Sequence, residues 1–182
     1  RSYAGQTHIV FGRHFATGGS FPASIDLSTL NGTDGFTVHG IDPSDFSGTS
    51  ASSAGDVNGD GFDDLFIGAR SADPFGQLEA GESYIVFGGP SVGATGSINL
   101  SALNGTNGFV LAGIDAVDAS GGSVSSAGDV NGDGIDDLII GAQGGDPNGQ
   151  SYAGESYVVF GRPGQVWTSL SGGSWSTGSR WL

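Results

Sequence analysis

Residues 55–65 read GDVNGDGFDDL, and residues 128–138 read GDVNGDGIDDL. Counting from the first aspartate, oxygen-bearing groups fall at alternate positions: Asp56, Asn58, Asp60, the backbone carbonyl of Phe62, then Asp64. The second copy supplies Asp129, Asn131, Asp133, the carbonyl of Ile135, and Asp137. Such a ring of hard oxygens suits Ca²⁺, which takes about six to eight of them in a flexible shell, whereas Mg²⁺ prefers a stricter octahedron and keeps its waters. Gly59 and Gly61, with Gly132 and Gly134 in the second copy, allow the turn back through positive φ that lets alternate side chains converge. Two calcium sites are therefore expected. They are not EF-hands, because the twelfth position is Ile67 or Ile140 where a bidentate Glu would stand. Asp63 and Asp136, at the eighth position, are expected to brace the loops.

Outward from these loops the chain repeats itself. Leu27 to Gly88 aligns with Leu100 to Gly161 at an offset of 73 without a gap, and 43 of the 62 positions are identical. A period of that length exceeds one hairpin and fits one small sheet per repeat. The opening RSYAGQTHIVFG matches the end of the same unit, so the chain divides into a partial repeat at 1–12, repeats at 13–88 and 89–161, and a tail at 162–182. Trp167, Trp175 and Trp181 are spaced through that Ser/Gly-rich tail.

Within each repeat four strands are expected. SASSAGDV (50–57) and SVSSAGDV (123–130) consist of small residues, as in a strand crowded by neighbouring backbone. DDLFIGA (63–69), DDLIIGA (136–142), ESYIVFG (82–88) and ESYVVFG (155–161) are continuous apolar runs, which implies burial on both faces. GFTVHGI (35–41) alternates, as a half-exposed outer strand does, and GFVLAGI (108–114) is its counterpart. No window carries a convincing helical period, and glycine interrupts every long segment. ADPFGQ, GDPNGQ and the Asn-Gly pairs of LNGTDG and LNGTNG are turn chemistry.

Small sheets that are apolar on both faces must stack on one another, and radial stacking produces a propeller with the small-residue strand innermost. The combination of FG at one strand end, GDxNGDGxDDL in the loop and IGA in the next strand resembles the FG-GAP repeat, the blade unit of integrin α-subunit propellers and of large secreted bacterial proteins. The resemblance spans residues 2–161. It implies that the metal loop joins the first two strands of a blade, with the ligand positions named above. The expected fold is all-β, with four-stranded antiparallel propeller-type blades in about two and a half repeats, an incomplete ring. Open faces and edges of this kind invite association. The expected partners are thus other copies of the chain or further repeats of a longer one, with the Trp-rich tail able to add a strand by β-augmentation.

Charge narrows the function. Five basic residues face nineteen acidic ones, a net charge of −14, which argues against nucleic acid and anionic membrane surfaces as partners. Eight of the nineteen acids lie in the two loops, where cations would offset them. No apolar run of about 18 residues is present, so membrane insertion is not expected. Without cysteine there is no thiol nucleophile, and His8, His14 and His39 are scattered, with no Ser/His/Asp grouping around them. The start at Arg1 fits a processed product or a segment of something longer. Calcium in place of disulfides suits an exported bacterial protein, extracellular or at the cell surface.

The sequence thus reads as a non-enzymatic, extracellular calcium-binding module for adhesion or interaction, with a protein or glycan ligand. The alternative is a self-assembling subunit of a filament or oligomer whose blades complete each other. A third reading, an accessory repeat region of a secreted hydrolase, rests on the company FG-GAP repeats keep in some phospholipases. Asn31, Asn99 and Asn104 open Asn-X-Ser/Thr patterns, although Asn-Gly turns account for two of them.

Overall fold

A computed structural model of the chain describes residues 3–14 and 19–164. The Trp-rich tail singled out above lies, from residue 165 on, outside the described residues. Among the described residues ten strands carry the fold: β1 (Gln6–Val10), β2 (Gly35–His39), β3 (Ser50–Gly55), β4 (Asp64–Ala69), β5 (Glu82–Val86), β6 (Ser97–Asn99), β7 (Gly108–Ala112), β8 (Ser120–Gly128), β9 (Asp137–Ala142) and β10 (Glu155–Val159). Helix among the described residues is limited to three-residue 3₁₀ turns such as Leu27–Thr29 and Leu100–Ala102.

The strands form three sheets, in the orders β1-β2-β6, β3-β4-β5-β7 and β8-β9-β10. The middle sheet is the complete blade, antiparallel throughout, with Ile67 opposite Tyr84 and Tyr84 opposite Val110. It straddles the sequence units, since β7 belongs to the second repeat and its three companions to the first. The other two sheets hold parts of the same pattern: β1 pairs with β2 as β5 does with β7, and β8-β9-β10 matches β3-β4-β5. One strand was not foreseen. β6 joins the outer edge of β2 in parallel, Val38 beside Ile98, so a connection of the middle blade straps the blade before it. Its three residues, SIN, are too short and too polar to announce themselves in sequence.

Alternation on the middle sheet explains the stacking. Ile67, Tyr84 and Val86 project into a core shared with Phe36, Val38 and Leu100 of the first sheet and its strap. Phe66, Ile85 and Phe87 project the other way, into a second core with Leu138 and Ile140 of the third. Burial on both faces is what the continuous apolar runs of β4 and β5 require. The small-residue strands have an equally direct cause. Where β3 and β4 meet β8, Ser50 Oγ donates to the carbonyl of Gly121 at 2.8 Å, and a Cβ at Gly68 would lie 2.0 Å from that oxygen. Nothing larger than glycine fits there.

Among the described residues, the two end sheets differ in the faces they leave exposed. On the first, the face turned from the core carries polar pairs: His8 Nδ1 lies 3.0 Å from Thr37 Oγ1, and Gln6 Nε2 lies 3.1 Å from His39 Nδ1. On the third, Ile139 and Val158 stand 38% and 49% exposed, while their repeat counterparts Phe66 and Ile85 in the middle sheet are at 0%. One end of the stack is finished with polar groups; the other shows a blade's inner surface. Asn31 and Asn104 cap their own turns by accepting from Thr33 and Thr106 N–H, which is the turn role expected for them.

Candidate metal centre

Each acidic loop leads from a small-residue inner strand into a buried apolar strand, β3 to β4 and β8 to β9. Short polar side chains in a glycine-rich loop bond to backbone two to five residues ahead, and this one does so throughout. Asp56 Oδ1 accepts from Gly59 N–H at 2.8 Å and from Asp60 N–H at 3.0 Å, and Oδ2 accepts from Gly61 N–H at 2.8 Å. Asn58 Oδ1 accepts from Asp60 N–H, and Asp60 Oδ1 from Phe62 N–H. Positive φ at Gly59 (75°) and Gly61 (88°) makes this winding accessible without strain. The second loop repeats it: Asp129 accepts from Gly132, Asp133 and Gly134, Asn131 from Asp133, and Asp133 from Ile135.

The last aspartate of each loop is placed differently. Asp64 and Asp137 begin β4 and β9 and are fully buried. Asp64 Oδ2 accepts from Val57 N–H and Oδ1 from Gly88 N–H, the glycine ending the FG of the same repeat. Asp137 does the same with Val130 and Gly161. Each therefore ties the loop's entrance to the end of the third strand. Burial pushes the Asp64 carboxyl up to about 6, and the negative charges of Asp60 and Asp56 push in the same direction. Neither buried aspartate is paired with a cationic side chain among the described residues.

This arrangement fits a hard divalent cation. A buried carboxylate facing two further carboxylates is costly unless a positive charge offsets it, and the surrounding donors are all oxygens. Carboxylates and imidazoles alone form no group of three close enough to hold an ion among the described residues. The ring drawn from the sequence also counts the Asn58 amide oxygen and the Phe62 carbonyl, with Asn131 and the Ile135 carbonyl in the second copy. The phenyl ring of Phe62 carries no oxygen, so only its backbone carbonyl is available to a site.

Sequence reasoning missed two features. The first is a contact between loops: Asp136 Oδ2 accepts from Asp56 N–H at 2.9 Å, across 80 residues. No sequence motif signals it, because it depends on how adjacent blades stack. The second is a repeated acidic group built around Asp45 and Asp118, both buried. Burial raises the Asp45 carboxyl to about 6, helped by the charges of Asp42, Glu82 and Asp73. Asp118 is raised by burial, with Asp115, Glu155 and Asp146 adding to it. Tyr84 and Tyr157 donate their hydroxyls to Glu82 and Glu155. The recurrence at an offset of 73 was available in the sequence, but without the fold Asp42, Asp73 and Glu82 look unrelated.

A pH dependence follows from Asp45. Its folded pKa lies above the unfolded value, so the folded state holds the proton more tightly. The stability this contributes is complete below about pH 4 and is lost as pH rises through about 6. In calcium-free buffer, Asp45→Asn is expected to be more stable than the parent at pH 7.5 by on the order of 2 kcal/mol, with little difference at pH 4. Urea titrations at both pH values check this; parallel pH profiles for the two proteins would refute it.

Stacked small sheets, two of them opening on a small-residue inner strand with an acidic loop between the first two strands, define a β-propeller-type repeat protein. Residues 47–86 and 120–159 each match the FG-GAP repeat, and the chain carries two of these repeats. It is similar to integrin alpha-5 of Xenopus laevis, 32% identical over 148 residues covering 77% of the chain. It is also similar to integrin alpha-PS2 of Drosophila melanogaster, 31% identical over 151 residues covering 80% of the chain. The chain spans 13% and 10% of the lengths of those relatives.

Proposed function

We propose that this chain is a calcium-stabilised, non-enzymatic module of a protein exposed outside the cell, serving adhesion or protein interaction. The observation that carries the reading is the pair of fully buried aspartates, Asp64 and Asp137, each ending an oxygen-lined loop without a cationic side chain beside it. Ca²⁺ would be held at the first site by Asp56, Asn58, Asp60, the Phe62 carbonyl and Asp64. At the second it would be held by Asp129, Asn131, Asp133, the Ile135 carbonyl and Asp137. Bound there, the ion would supply charge compensation and a fixed point between the inner and second strands of each blade. These residues shape the loop and hold the entrance of each blade against the end of its third strand. An acidic chain without cysteine suits export, and among the described residues no helix is long and apolar enough to cross a membrane. Equilibrium dialysis of the purified chain tests the reading directly: two Ca²⁺ per chain are expected, and none bound at millimolar calcium would sink it.

Self-association is a second reading, favoured by the uncovered face of the third sheet. Ile139, Val158 and Phe160 are exposed there, whereas the corresponding residues of the middle sheet are buried. The polar pairs on the first sheet make a poor match for that face, so two copies meeting through their third sheets suit these surfaces better than a head-to-tail filament. Val158→Asp combined with Phe160→Ser is expected to shift light-scattering mass from dimer to monomer, with the melting point falling only at concentrations where the parent is dimeric. A parent chain that is monomeric at all concentrations would exclude this reading.

A further inference from the structure

The two acidic loops are nearly identical in sequence but not in surroundings. The first is held by four hydrogen bonds from the sheet that follows it and the segment beyond. Asp136 Oδ2 accepts from Asp56 N–H at 2.9 Å, and Asp136 N–H donates to the Asp56 carbonyl at 3.4 Å. Arg162 N–H donates to the Val57 carbonyl at 2.9 Å, and Gly164 N–H to the Asn58 carbonyl at 3.1 Å. All four fall on residues 56–58, the stretch from the first candidate ligand to the second. None of the corresponding groups of the second loop, on Asp129, Val130 and Asn131, receives such a bond among the described residues.

Burial records the same difference. Val57 is at 0% exposure and Val130 at 57%; Asp136 is half-buried, whereas Asp63, at its position in the first loop, is exposed. Gly55 makes room for the contact. A Cβ there would lie 2.2 Å from Asp136 Oδ2, while at the equivalent Gly128 it would meet nothing within 4 Å.

Resting on the calcium reading above, we propose that Asp136 is a positioning residue for the first site, so that the two sites differ in affinity and are coupled. Asp136 sits between Ile135, whose carbonyl belongs to the second ring, and Asp137, the last side-chain ligand of that ring. An ion in the second loop fixes the segment 135–137, and through Asp136 Oδ2 it fixes the backbone of Asp56. The first site then binds Ca²⁺ with its entrance already ordered, since part of the ordering cost has been met beforehand. The first site is accordingly the tighter one, and filling the second strengthens it. The eighth loop position, which the ring of ligands leaves unused, becomes the means by which one blade's loop organises the loop before it.

Calorimetric titration of the apo chain with calcium chloride tests this, with amide hydrogen exchange as the metal-independent readout. Asp136→Ala is expected to weaken the tighter of two sites about tenfold, the lower end of the 10- to 100-fold typical of groups that orient metal ligands, and, because coupling is reciprocal, to remove the enhancement that filling either site gives the other. Asp136→Asn, which keeps an oxygen acceptor, should restore most of that loss, and Asp63→Ala should alter neither site. Emptying the second site with Asp133→Ala should weaken the first in the parent but not in Asp136→Ala. In chelator, Asp136→Ala should speed exchange at the Asp56 amide, and the Asp63 variant should not. Two sites of unchanged affinity in Asp136→Ala would overturn the inference and leave the calcium reading standing. A parent chain that takes up no calcium would overturn both.

Discussion

Removing calcium is expected to lower the melting temperature of the chain by roughly 10 to 20 °C. A ligand that binds only the folded state at about a hundred times its dissociation constant adds about 2.7 kcal/mol per site. Two sites then contribute about 5 kcal/mol, a large part of the 5 to 15 kcal/mol that separates most folded domains from their unfolded chains. For a chain of this size each kcal/mol shifts the midpoint by about 2 to 4 °C. Apo-state repulsion acts in the same direction, because eight of nineteen acidic residues crowd into two short loops. Scanning calorimetry with excess calcium and with excess chelator checks the shift. Sodium chloride at matched ionic strength serves as the control, since screening alone should restore only the exposed part of the repulsion. Asp64→Asn should reduce the shift to about that of one site. An unchanged midpoint in chelator would mean that the loops are acidic turns and nothing more.

How much of this was legible beforehand depends on the range of the interaction. The blade was legible because its causes are local: β4 and β5 are continuous apolar runs, β3 is made of Ser, Ala and Gly, and the loop between has oxygens at alternate positions. Asp64 is readable from spacing alone, and the structure buries it with its carboxylate accepting from Val57 and Gly88 N–H. The strap β6 was not legible, since three residues have no period and its partner β2 lies 60 residues earlier. Nor was the Asp136 contact, which sets one loop against another across the stack. Two copies of a sequence can be identical and still be placed in different surroundings; Val57 and Val130 are the clearest instance.

That difference of surroundings gives the second large prediction. Ile85 and Val158 occupy the same place in the two repeats, each on the third strand, opposite Phe66 and Ile139 respectively. Ile85 is fully buried between the second and third sheets, and Val158 is 49% exposed. Ile85→Ala is expected to cost about 2 to 5 kcal/mol, because it removes transfer free energy and leaves a cavity that stacked sheets cannot close. Val158→Ala should cost less than about 1 kcal/mol, as neighbouring water already fills the space. Only about 0.8 kcal/mol of the gap reflects the one extra methylene of isoleucine; the remainder reflects cover by the next sheet. Denaturant titrations at two protein concentrations make the comparison decisive. A Val158→Ala cost that stays small at both means the third sheet faces solvent. A cost that climbs toward that of Ile85→Ala with rising concentration means that a second copy supplies the missing cover, and the same repeat position then reports packing within the chain at one end and between chains at the other.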